Sequence, residues 1–147
     1  DLEMRKKIVR VIRRVNPQVV VTCDPQNLFP NDHRVNHPDH RAAGQVVVDA
    51  LFPAAGNPMF YHDLEINEGL KPVKVEELWL SLTTQPNLTL DMSAYFEAKL
   101  AAILCHRSQV GEDPEVIKNL LRSRFIIDPE TGREVYLENF RRITFDK

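Results

Sequence analysis

Glycine is scarce in this chain of 147 residues: Gly44, Gly56, Gly69, Gly111 and Gly132 never fall within ten residues of one another. A backbone cradle for a pyrophosphate needs glycines close together, so neither a P-loop nor a dinucleotide fingerprint is present. Cysteine is scarcer still, and Cys23 and Cys105 alone cannot build a disulfide framework, which fits a reducing, cytoplasmic compartment. No stretch approaches the roughly 20 apolar residues of a membrane-spanning helix. Nor is there a charge excess: 19 Lys plus Arg stand against 21 Asp plus Glu, which argues against a general polyanion binder. With 43% hydrophobic and 27% charged residues, the composition is that of an ordinary folded domain.

No repeat, low-complexity tract or linker divides the chain, so residues 1–147 read as one piece. It opens at Asp1, inside an amphipathic pattern rather than on an initiator Met, and we expect it to be part of something longer. From Leu2 to Val15, Met4, Ile8, Val11, Ile12 and Val15 recur at helical spacing. Arg5, Lys6, Lys7, Arg10, Arg13 and Arg14 cover the remaining surface. Without interleaved aromatics they are expected to solvate the outside of a helix rather than bind nucleic acid. Asn16 and Pro17 stop this helix, and Val19-Val20-Val21-Thr22 reads as a strand buried on both faces, the mark of a parallel sheet.

Asp24 to Asn36 carries Pro25 and Pro30 and reads as a long loop leaving the carboxyl end of that strand. A helix follows, with Pro38 in its first turn and Asp39 at the positive end of its dipole, until Pro53 ends it. Further on, Met59–Ile66, Val75–Thr83 and Asn87–Met92 look extended. Ser93 is a candidate cap, completed by Glu97, for a helix through Cys105, and Asp113 or Pro114 starts another. A turn at Asp128–Gly132 precedes a last helical piece holding Tyr136, Phe140 and Ile143. The fold class expected is α/β, a Rossmann-like open sheet with parallel core strands and helices on both faces. In such sheets ligands lie beyond the carboxyl ends of the strands.

That rule directs attention to Asn36-His37-Pro38-Asp39-His40-Arg41-Ala42-Ala43-Gly44. A residue before proline is pushed out of the α region, so His37 belongs to the loop and His40 to the first helical turn. A helix N-terminus favours the neutral imidazole that a metal requires. Two histidines three apart are nevertheless short of the ligand count of zinc. Asp24, Asp32 and His33 could complete a site or simply serve the loop.

His37-Pro38-Asp39-His40-Arg41-Ala42-Ala43-Gly44, placed after Val-Val-Thr, resembles the second signature of the LmbE-like (PIG-L) family of zinc-dependent N-acetylglucosaminyl deacetylases. Asp91-Met92-Ser93, a helix containing Lys99, His106-Arg107-Ser108-Gln109 and Glu138-Asn139-Phe140-Arg141-Arg142 are similar to its later segments, in order. The resemblance implies a hydrolase that removes an N-acetyl group from an N-acetylglucosamine-type conjugate with Zn2+. It puts His40 among the metal ligands, His37 on the oxyanion or departing amine, and Asp39 beside the neighbouring histidine; Asn27 and Arg41 flank the motif as candidate substrate contacts. Zinc in such a site lowers the pKa of bound water toward ~7.

The family's first signature, an Ala-His-Pro-Asp-Asp-Glu run bearing the remaining ligands and the general base, is absent, and neither His62-Asp63 nor Asp32-His33 replaces it. The chain is therefore expected to be the C-terminal portion of a single deacetylase domain and inactive alone. The partners implied are an amino-sugar conjugate, with no nucleic acid and no membrane span, and an exposed half-sheet would invite a second copy. Two rival readings stand beside this one. The first is a catalytically silent binding or assembly fragment. The second is a metal-dependent phosphoesterase using His33, His37 and His40.

Overall fold

The computed structural model describes residues 2–111 and 113–145. Its elements are α1 (Leu2–Val15), β1 (Val19–Cys23), α2 (Pro38–Asp49), α3 (His62–Glu68), β2 (Glu77–Ser81), β3 (Leu88–Asp91), α4 (Phe96–Leu104), α5 (Arg107–Val110), α6 (Pro114–Arg122), β4 (Ile126–Ile127), β5 (Glu134–Val135) and β6 (Leu137–Thr144). The main sheet has the order β1-β2-β6-β3, and β4 with β5 forms a separate hairpin. β1 and β2 run parallel, Val19 facing Glu77 and Cys23 facing Ser81, while β6 returns antiparallel to β2. The protein is thus an α/β chain with a mixed sheet. It gathers into two compact units, Asp1–Leu88 with Asn139–Lys147, and Thr89–Glu138.

In the first unit, α1 buries Val9 and Ile12 in a core with Ala50, Ala54, Leu64, Leu78 and Leu80. Asn16 then adopts φ 49° and stops the helix, its N–H bonded to the Ile12 carbonyl at 2.8 Å. After α2 the chain bends at Ala50–Ala55, where Phe52 leaves the helical region at φ −131° and ψ 124°. β2 alternates as its sequence requires: Leu78 and Leu80 are buried, while Trp79 is half-buried, with its indole N–H donated to Glu77 at 2.7 Å. Arg142 also bonds Glu77, and these two donors hold its carboxyl below the usual glutamate range.

The second unit has its own core of Phe96, Leu100, Leu121 and Tyr136, with the Phe96 and Phe125 rings edge to face at 4.9 Å. Asp113 caps α6 by accepting from the Glu115 N–H at 2.9 Å. Lys99 pairs with Glu138 and sits 5.3 Å from the centre of the Tyr136 ring.

Several expectations are corrected. Met59–Ile66 is not extended, because His62–Glu68 is helical, with Asp63 and Glu65 in its first turn and Gly69 at φ 68° closing it. The tail is not helical: Phe140 and Ile143 lie on the long strand β6, and Tyr136 joins it to β5. Ser93 does not cap α4; its N–H and hydroxyl both bond Asp91, whose carboxyl is held low by them. The strand Val19–Cys23 is not buried on both faces, since Val19 and Val21 are 38% and 56% exposed.

The basic face of α1 is not simply solvated either. Lys6 pairs with Asp63 at 2.7 Å and Arg10 clasps Glu68 with bonds of 2.9 and 3.0 Å. Arg13 is buried, at 4% exposure. Its guanidinium donates to the carbonyls of Ala54, Ala55, Asn57, Phe60 and Tyr61 at 2.9–3.4 Å. Burial pushes its pKa down from the ordinary value, with Glu65 and Asp63 pulling the other way. These cations hold α1 to α3 and to the bend before it, so they are committed to the fold rather than available to a polyanion.

Candidate active site

The carboxyl ends of the parallel pair β1 and β2 open into a cavity of about 440 Å³, within the roughly 300–1,000 Å³ of small-molecule sites. Its wall comes from three places: the loop after β1, the turn after β2 and the entry of α2. Asp24 begins the first loop. It is buried, its N–H bonds the Ser81 carbonyl at 2.8 Å and its carboxylate accepts from the Gln26 N–H at 2.9 Å. The two strand ends are thereby tied together.

Asn27 ties the two loops. Its side-chain N–H donates to the carbonyl of Leu82, a residue held at φ 56°, an uncommon conformation for a branched side chain. Its own carbonyl accepts from the Asn36 side chain at 2.8 Å, while the Asn36 N–H bonds Leu28 at 2.9 Å. Both asparagines are buried. Asn36 therefore arrives at His37 fixed at both ends, a role its bare sequence position did not disclose. The Asn27 Oδ1 is buried with no hydrogen-bond partner among the described residues.

His37 caps α2 from outside the helix, at φ −57° and ψ 134°, and His40 lies in the first turn, as Pro38 requires. Both rings line the cavity, their centres 5.7 Å apart. The His37 Nδ1 accepts the Asp39 N–H at 3.2 Å. In the neutral ring this leaves the proton on Nε2, a hydrogen-bond donor. The Asp39 carboxylate is exposed and sits 3.7 Å from the same Nδ1. Arg41 does not line the cavity, and its Nε is buried with no hydrogen-bond partner among the described residues. The structure thus brings together Asn27, His37 and His40, keeps Asp39 beside His37 and leaves Arg41 aside.

Gly44 sets how closely α2 approaches. A Cβ there would overlap the backbone carbonyl oxygen of Cys23 and lie 3.1 Å from the Pro25 nitrogen. Both obstacles are main chain, so the helix carrying both histidines would have to move. Gly44→Ala is expected to destabilise the protein at the upper end of the ~1–3 kcal/mol typical of overpacking, read from the urea midpoint. A loss below about 0.5 kcal/mol, which is ordinary for a neutral surface site, would contradict this packing.

Zinc takes three protein ligands in catalytic sites. Among the described residues no group of three His, Cys, Asp or Glu side chains converges for a metal, and no Asp or Glu lines this cavity. Asp24 and Asp32 do not complete a site with the histidines, and His33 lies on a different cavity. The residues present do not by themselves fit the ion, and a phosphoesterase built from His33, His37 and His40 lacks its geometry here.

A mixed α/β sheet with two histidines at the carboxyl ends of its parallel strands defines a candidate hydrolytic or binding site of the open-sheet class. Residues 1–51 match the family described as "PIG-L: GlcNAc-PI de-N-acetylase". The chain is 37% identical over 111 residues to the diacetylchitobiose deacetylase of Thermococcus kodakarensis, covering 76% of this chain and 39% of that protein. It is 28% identical over 143 residues to 1D-myo-inositol 2-acetamido-2-deoxy-alpha-D-glucopyranoside deacetylase 2 of Frankia alni, covering 76% of this chain and 47% of that protein. The solved N,N'-diacetylchitobiose deacetylase of Pyrococcus horikoshii superposes with a TM-score of 0.76 at 29% identity, covering 98% of this chain and 52% of that one.

The chain belongs to the PIG-L (LmbE-like) family, whose relatives here are deacetylases. It spans about half the length of the curated relatives it matches. Among the described residues no helix is long and apolar enough to cross a membrane.

Proposed function

We propose that this chain is the C-terminal portion of one deacetylase domain, and that the complete protein removes the acetyl group from an N-acetylglucosamine-type conjugate. The observation that carries the reading is the pair His37 and His40, facing one cavity at the ends of two parallel strands. His40 is assigned as one zinc ligand, with the other ligands and the general base contributed from outside residues 1–147, because the described residues hold no complete set. His37 donates from Nε2 to the oxygen of the acetamido group as charge develops on it. Asp39 holds the His37 ring in orientation through its backbone N–H, which donates to Nδ1.

The position of β1, which among the described residues ends the sheet order, supports the partial-domain reading. Val19 and Val21 belong to an apolar run yet stand exposed at the end of the sheet order, a surface a stable fold covers. We assign that edge to the remainder of the domain. Residues 1–147 alone are then inactive, and the complete protein works in a reducing compartment, where Cys23 and Cys105 remain thiols.

The test is acetate release by the complete protein from N-acetylglucosamine conjugates, with aryl phosphate esters as the control. Acetate without phosphate supports the reading. Phosphate release, or neither product, overturns it.

A further inference from the structure

α6 carries two apolar stripes where a surface helix needs one. Ile117 and Leu121 turn into the core of the second unit, with Phe96, Leu100 and Tyr136. Val116 and Leu120, one turn apart on the adjoining face, are 59% and 53% exposed. Shortly beyond the helix, β4 exposes Ile126 and Ile127 as well. All of these residues belong to the unit Thr89–Glu138, which thus leaves four large apolar side chains on its surface between residues 116 and 127.

We infer that the Val116–Leu120 face of α6 is the seam of a two-fold interface with a second copy of this chain, the two α6 helices lying antiparallel. None of these residues lines the cavity at His37 and His40, so the interface stands or falls apart from the deacetylase reading.

The charges beside the seam choose the occupant. Glu115, Asn119 and Arg122 follow one another at steps of four and three and therefore line one flank of the apolar stripe. The acid stands at the amino end of that flank and the base at its carboxyl end. In an antiparallel pair the same flank of each helix faces its counterpart with the chain direction reversed. Glu115 of one copy then meets Arg122 of the other, and the two-fold axis repeats the pair. The midpoint of Glu115 and Arg122 falls between Lys118 and Asn119, and that of Val116 and Leu120 falls on Lys118, so one axis serves both registers. A parallel pair would bring the charged flank against Ile117 and Leu121, which are engaged in the core. Within its own helix Glu115 is held only loosely, by Lys118 at 3.7 Å, and its side chain is 69% exposed. A face that complements itself in both apolar register and charge marks a second copy rather than a different chain. The apolar residues supply the attraction, and the charged rim fixes orientation.

The test is sedimentation velocity on the complete protein across a concentration series, beside Leu120→Lys, Glu115→Arg, Arg122→Glu and the double variant Glu115→Arg with Arg122→Glu. All three positions are exposed, so circular dichroism and the urea midpoint should match those of the unaltered protein. The expected result is an assembly with an even number of subunits. Its dissociation constant should rise at least about tenfold in Leu120→Lys and in each single charge reversal, since every substitution acts twice across the axis. The double variant, whose pair is again opposite in sign, should regain the assembly.

A monomer at every concentration, an odd-numbered assembly, or a mass that none of the substitutions changes overturns the interface. A lower urea midpoint for Leu120→Lys at unchanged mass would give this face to another part of the same polypeptide and overturns it equally. Single reversals that dissociate the assembly without recovery in the double variant would overturn the antiparallel pairing.

Discussion

His40→Ala in the complete protein is expected to leave purified material with little or no zinc and no measurable deacetylation, while His37→Ala keeps its zinc and loses rate. The division follows from the backbone. Pro38 forces His37 outside the helix, where its Nδ1 is engaged by the Asp39 N–H and Nε2 is left to donate. His40 sits in the first helical turn, its ring against that of His37 and facing the cavity. Loss of a single oxyanion donor costs about 10²–10³ in kcat, roughly 2.7–4 kcal/mol in the barrier. Removing one of three protein ligands leaves a catalytic zinc site below the count it needs. Elemental analysis and steady-state rates on the same preparations separate the two. Equal zinc content in both variants would end this division of labour.

The largest expected effect on stability is at Arg13→Met, a residue that does not line the cavity. The methionine fills much of the volume but donates nothing to the five carbonyls that Arg13 now serves. Those of Ala54 and Ala55 are in buried bonds, and each orphaned buried acceptor costs about 1–3 kcal/mol. Together they account for about 2–6 kcal/mol, a large share of the ~5–15 kcal/mol that holds a typical domain folded. Arg13→Lys should fall between the two, because a lysine ammonium brings three donors without the planar fork. Urea unfolding of the complete protein and its two variants measures this order. An Arg13→Met midpoint equal to that of the unaltered protein would show the guanidinium to be dispensable.

The site was legible in the sequence to the extent that its geometry is local. Pro38 fixes the backbone of His37 and starts α2, so the loop-then-helix placement of the two histidines follows from four consecutive residues. β1 and β2 were legible from their valine run and their alternation. What tertiary contacts decide was misread. Arg13 belongs to the same basic helical stretch as Arg10 and Arg14, and the bend at residues 54–61, some forty residues away, distinguishes it.

β6 misled because Tyr136, Phe140 and Ile143 recur at steps of four and three, a helical spacing, although the segment pairs with β2 as a strand. α3 carried readable signals, acids at Asp63 and Glu65 and a closing Gly69, although residues 59–66 read as extended. Asn27 read as a candidate substrate contact and Asn36 as part of a polar loop. Their buried bonds to Leu82 and to each other join segments that the sequence keeps far apart.

The account turns on whether the ring of His40 binds the metal. Diffraction from crystals of the complete protein, recorded at the zinc absorption edge, tests that directly. An anomalous peak about 2.0–2.1 Å from a ring nitrogen of His40, with its remaining protein ligands drawn from outside residues 1–147, is the predicted result. A peak away from His40, or a full ligand set supplied without it, would contradict the account.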